Sequence, residues 1–169
     1  DRSVSRGLGD VYKRQLLLPC LLDCEHLVVM NHKAYYHYLY VTESMAHQYD
    51  KGLYENNRRL RGIISHILED KCCNSNEIPM PDYAWMLDQA DREYLFLLLL
   101  VLKNEARGNP AGYKKNIREI CNAPEVKELV QKTVVEIHEK SNLLLYLVLL
   151  HPNVFMIRVL RLAMILYYR

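Results

Sequence analysis

Residues 34–49, AYYHYLYVTESMAHQY, concentrate side chains that could do chemistry: five tyrosines and two histidines around a Thr42-Glu43-Ser44 turn. Tyrosine rings offer stacking faces and a phenolic hydroxyl, and Ser44 and His47 offer short-range hydrogen bonds. Such a surface suits a sugar or a nucleotide. A half-buried strand edge packed on helices would use tyrosine equally well. The residues by themselves leave both readings open.

Other candidate chemistry is sparse. His26, His32, His37 and His47 fall within 22 residues, but their spacing matches no familiar ligand set and no HExxH pair is present. The five cysteines are odd in number and form no CxxC, which favours a reducing cytoplasm over a disulfide framework. Adjacent Cys72 and Cys73 lack a second ligand pair at zinc spacing. Glu69-Asp70 and Asp88/Asp91 lie on predicted helices at positions that look exposed, as solvated charges do. No GxSxG, P-loop or HxE…CxxC occurs. No catalytic residue and no metal ligand are therefore assigned within the chain.

The elements that must position the tyrosine-rich stretch are mostly helical. Residues 16–24 read as the end of an apolar helix, His26 to Met30 as a short buried strand, and Ala34 to Val41 as a second strand. The two strands would form a β-hairpin, marginal in water by itself. After Asp50 the pattern turns helical. Leu60, Ile63, Ile64, Ile67 and Leu68 follow one helix face. Asn74 to Pro81 reads as a loop. A helix then starts near Asp82 with Tyr83, Met86, Leu87, Ala90 and Tyr94 inward, and Arg107-Gly108-Asn109-Pro110 stops it. Pro124 and Glu125 suit the start of a helix whose inner face runs from Val126 through Leu129, Val130, Thr133 and Val134 to Ile137. His151-Pro152-Asn153 separates it from a last helix, Val154 to Tyr168.

Composition bounds the rest. The 169 residues carry 22 Lys+Arg against 20 Asp+Glu, are 50% hydrophobic and include only 6 Gly. This is ordinary globular usage, which excludes a disordered tail and a strongly basic nucleic-acid binder. Residues 1–15, DRSVSRGLGDVYKRQ, resemble a translated sequencing-adaptor frame and are set apart as a foreign junction. Their four basic and two acidic residues account for the basic balance, since 18 of each remain. A junction there implies that the chain is a fragment lacking its true N-terminal part.

The apolar runs Leu95–Leu102 and Leu143–Leu150 are eight residues each, where a membrane span needs about 20, and they read as buried core. Residues 154–169 are apolar on nearly every side, and their charges are Arg158, Arg161 and Arg169. They could pack on neighbouring helices. Equally, they could lie on an anionic membrane surface with Phe155, Leu160, Ile165 and Tyr168 dipping in.

The order of these features resembles the end of the catalytic domain of bacterial glycosyltransferase family 2. Members often carry an L-Y-Y-Y-R run, then N-S-M-T-H, then a helix opening with an L-Y/W-E-N pattern. The counterparts are Tyr36-His37-Tyr38-Leu39, Glu43-Ser44-Met45-Ala46-His47 and Leu53-Tyr54-Glu55-Asn56. The resemblance covers residues 16–60 and is generic over 80–169. It implies a mainly α chain: a β-hairpin remnant of a GT-A α/β domain over 16–50, then a helical C-terminal region over 51–169. It implies that Tyr36, His37, Ser44 and His47 lie near a nucleotide-sugar donor or a polysaccharide or glycolipid acceptor. It implies a divalent metal, Mg or Mn, held in the intact enzyme by an Asp-x-Asp motif, with a Glu/Asp-Asp carboxylate as base. It implies a cytoplasmic location at the inner face of the cell membrane. Leu39 stands where the family has Arg, and Ala46 where it has Thr. The Asp-x-Asp and the base are not among these residues, so no cofactor and no activity are expected of the chain by itself. A reading from another class is a small all-helical interaction or scaffold module whose tyrosines are packing.

Overall fold

A computed structural model describes residues 17–26, 28, 48–74, 78–133, 137 and 140–167. Residues 17–22 are helical and form α1. Six further helices follow: α2 (Leu53–Glu69), α3 (Met80–Gly108), α4 (Tyr113–Asn122), α5 (Pro124–Lys132), α6 (Lys140–Leu150) and α7 (Val154–Tyr167). A π-helical turn, Asp70–Asn74, prolongs α2.

Each boundary has a local cause. The Gly52 N–H donates to Asp50 Oδ1 at 2.8 Å, a side-chain turn that leads the chain into α2, and Glu55 in the first turn complements the helix dipole. Pro79 is extended and Pro81 sits in the first turn of α3, where a missing N–H costs nothing. The helix begins two residues before the expected Asp82 for this reason. Pro124 opens α5 in the same way. That helix closes at Lys132, with Thr133 already extended, so the expected inner face through Ile137 is cut short.

α3 is the organising element. Its 29 residues span about 43 Å, and α2, α4, α5, α6 and α7 all contact it. That explains the near-continuous apolar run. Leu95, Leu98, Leu99, Val101 and Leu102 are buried because neighbours flank them on several sides, while Phe96 and Leu100 stay exposed. The main core joins them to Ile117 and Cys121 of α4, Val126 and Leu129 of α5, Leu145, Val148 and Leu149 of α6, and Ile157, Leu160 and Met164 of α7. A smaller core gathers Leu68, Cys72 and Ile78 with Leu22 of α1 and with Ile64, Tyr83, Met86 and Leu87.

Three expectations need correction. Leu160 does not face outward; it is fully buried in the main core. Asp91 is not a solvated charge; it is 5% exposed and ion-paired. Of the first expected strand, His26 and Val28 are described, neither is in a strand, and Val28 is 84% exposed. The rest of the expected hairpin, residue 27 and residues 29–41, lies outside the described residues, among which there is no strand. No helix among the described residues is long and apolar enough to cross a membrane.

Candidate functional site

Tyr36, His37, Ser44 and His47 all lie outside the described residues. What the structure defines is how the described residues on either side of them are held, Leu22 and Asp23 before and Tyr49 and Asp50 after. On the N-terminal side the described contacts are those of α1 and the turn after it. Leu22 packs into the smaller core, and Asp23 accepts a 2.6 Å bond from Lys71 Nζ.

The C-terminal end is held at the far end of α3, two residues beyond His47. The Tyr49 hydroxyl donates to Glu105 Oε1 at 2.9 Å. The other carboxylate oxygen of Glu105 accepts from Asn109 Nδ2 at 2.8 Å and Asn116 Nδ2 at 3.1 Å. Asn109 also donates to the Tyr49 oxygen at 3.2 Å, and its Oδ1 accepts from the Gly112 N–H at 2.8 Å. Asn104 and the Asp50 backbone exchange two bonds: Asp50 N–H to Asn104 Oδ1 at 3.1 Å, and Asn104 Nδ2 to the Asp50 carbonyl at 2.7 Å. Glu105 is 4% exposed, so its carboxylate has exchanged water for this set of donors.

Gly108 completes the anchor. A Cβ there would sit 2.8 Å from Tyr49 Cγ and Cδ2 and closer still to its Cβ, so the missing side chain is what admits the tyrosine. Burial, then the hydrogen bond to the Glu105 carboxylate, pushes the Tyr49 phenol up to about 12. The hydroxyl therefore stays protonated and donating at any physiological pH. The two anchors contact α3 near Met86 and at Glu105, about 28 Å apart along its axis.

A second polar centre joins α2, α3 and α5. Asp91 accepts two bonds from Arg61, at 2.6 and 3.1 Å, and a third from Lys132 Nζ at 2.5 Å. The Arg61 guanidinium also lies over the Tyr94 ring, 4.9 Å from its centroid. Nearby, the Tyr54 hydroxyl donates to Glu125 at 3.3 Å, and burial pushes the phenols of Tyr54 and Tyr94 up. The Tyr94 hydroxyl is buried without a hydrogen-bond partner among the described residues. The carboxylates of this centre face cations, and burial favours the neutral form of its phenols.

An apolar groove of about 360 Å³ lies between α1, α2 and α3, lined by Leu17, Leu21, Ile64, Trp85 and Met86 among others, with Gln89 and Glu93 as its polar rim. Cys72 and Cys121 are buried and Cys20, Cys24 and Cys73 exposed, all as free thiols. No three His, Cys, Asp or Glu side chains converge to hold a metal ion among the described residues.

Sequence reasoning marked Gly108 and Asn109 as a helix stop and missed their role as a socket for Tyr49. It missed Asn104, Glu105 and Asn116 altogether. The available signal was a cluster of side-chain amides and a carboxylate around that helix end, in a core otherwise aliphatic.

No family model matches the chain, and no curated protein or solved structure matches it either.

Proposed function

We propose that the chain is the C-terminal part of a family 2 glycosyltransferase, in which the helices brace a substrate-facing segment. In the intact enzyme, Tyr36, His37, Ser44 and His47 contact the nucleotide-sugar donor or the glycan acceptor. The observation that supports this most is the anchorage of the segment's C-terminal flank, Tyr49 on Glu105 with Gly108 beneath it. A segment of tyrosine, serine and histidine side chains gains affinity and precision when its ends are fixed before substrate arrives. The order Tyr36-His37-Tyr38, Ser44-Met45-Ala46-His47, Leu53-Tyr54-Glu55-Asn56 supplies the family assignment.

The residues present do not fit the divalent metal that such enzymes use. The chain has no Asp-x-Asp, and no suitable cluster occurs among the described residues. The role of these residues is therefore to bind and orient. The chain by itself turns over no nucleotide sugar.

Reading the coding frame upstream of Leu16 tests the assignment. An Asp-x-Asp and a Glu/Asp-Asp motif are expected there. A start codon immediately before Leu16 would overturn it in favour of a helical interaction module. In the intact enzyme, Ser44→Ala and His47→Ala lower transfer without loss of fold, and unchanged kinetics would remove both from the site.

A further inference from the structure

We infer that α6 and α7 present an interfacial surface that docks on an anionic lipid bilayer. The inference stands independently of the enzymatic reading, because it rests on a face the catalytic assignment does not use.

Along α7 the outward positions are Phe155, Arg158, Leu162, Ile165 and Leu166, at the 3–4 spacing of one stripe. Phe155 is 73% exposed, Leu162 62% and Leu166 68%, which is unusual for consecutive turns of one helix. The opposite face of the same helix, Ile157, Leu160 and Met164, is committed to the core. The outward stripe is therefore surplus to folding. Leu150 and Val154, on either side of the turn between the two helices, and Leu143 and Leu147 of α6 are exposed as well.

Charge selects the occupant. Residues 140–169 contain Lys140, Arg158, Arg161 and Arg169 and no Asp or Glu. The bundle elsewhere mixes both signs on every helix from α2 to α5. Arg158 stands inside the stripe, where its stem can follow the apolar side chains while the guanidinium reaches a lipid phosphate. Arg161, by contrast, is turned inward. It donates to the Ala106 carbonyl at 3.1 Å and stacks on Tyr113, 4.6 Å from the ring centroid, so it fixes α7 to α3 rather than serving the surface. A protein partner would be expected to meet about one hydrogen-bonding group per 100–200 Å². This stripe offers a single polar side chain, Arg158, in four turns. Hydrocarbon and headgroup together match it better.

The test is co-sedimentation of the full chain with vesicles of phosphatidylcholine alone or with added phosphatidylglycerol. Binding to the anionic vesicles is expected, with partitioning that falls as salt is raised. Arg158→Glu should weaken it by roughly 30-fold, from one lost attraction and one added repulsion at about 1 kcal/mol each. Phe155→Ser/Leu162→Gln/Leu166→Gln should abolish it. These three side chains point away from the core, so circular dichroism should report an unchanged fold. Retained binding by the triple variant overturns the inference. So does absence of vesicle binding together with self-association that the triple variant abolishes, which would assign the face to a second copy of the chain.

Discussion

Gly108→Ala is the sharpest probe of the anchor at the end of α3. Gly108 is the last residue of that helix, and at such a position alanine ordinarily stabilises by about 0.4–1 kcal/mol. Here the added methyl would overlap the Tyr49 ring and its Cβ. The obstructing atoms sit at the root of the side chain, so a rotamer change cannot clear them. Residues 49–50 must withdraw. The Tyr49–Glu105 bond is then lost, worth about 1.5–3 kcal/mol for a hydrogen bond to a charged group, and the Asp50–Asn104 exchange is weakened at about 0.5–1.5 kcal/mol per bond. Offsetting the propensity gain leaves a net destabilisation of about 2 kcal/mol, measurable as a lower urea midpoint at unchanged slope. In a Tyr49→Gly background, which removes the obstructed atoms, the same Gly108→Ala change should be neutral or stabilising. A stabilising Gly108→Ala in the wild-type background would refute the socket.

Three further outcomes follow from the same geometry. Because Tyr49 has a folded pKa of about 12 against 10.0 when unperturbed, its contribution to stability is complete below pH 10 and lost as pH rises towards 12; Tyr49→Phe should flatten that decline in pH-dependent denaturation curves. Asp91→Ala should cost about 3 kcal/mol, since Arg61 is left largely buried without its carboxylate, whereas Lys132→Ala should cost under about 1 kcal/mol because its side chain is 55% exposed; equal costs in thermal melts would contradict this. On α7, Leu160→Ala should cost about 3 kcal/mol and Leu162→Ala under about 0.5 kcal/mol, and a reversed order would show that the helix is rotated from the face described.

Sequence periodicity located much of this fold, because backbone geometry sets the spacing of apolar side chains before any neighbour is chosen. The Leu60–Leu68 stripe, the Gly108-Asn109-Pro110 stop and the Pro124 start fall where that logic puts them. α4 went unmarked although Tyr113, Ile117, Ile120 and Cys121 repeat at helical spacing, because lysine, asparagine and arginine dominate its ten residues. The tyrosine-rich segment was legible as a candidate surface from composition alone. Its anchor at Tyr49 and the polar centre at Asp91 were not, because each joins residues distant in the chain: Tyr49 meets Glu105 across 56 positions, and Asp91 meets Arg61 across 30.

What the sequence determined by itself is most of the helices, the chemistry offered by residues 34–49, and the absence of acidic residues after position 139. Only tertiary packing decided which polar groups are buried. It placed Glu105 and Asp91 inside because their donors arrive from other segments, and it turned Leu160 inward while leaving Leu162 outside. The physical reason is that burying a carboxylate is tolerable only when its partners are already in position, and their arrival depends on how the helices pack.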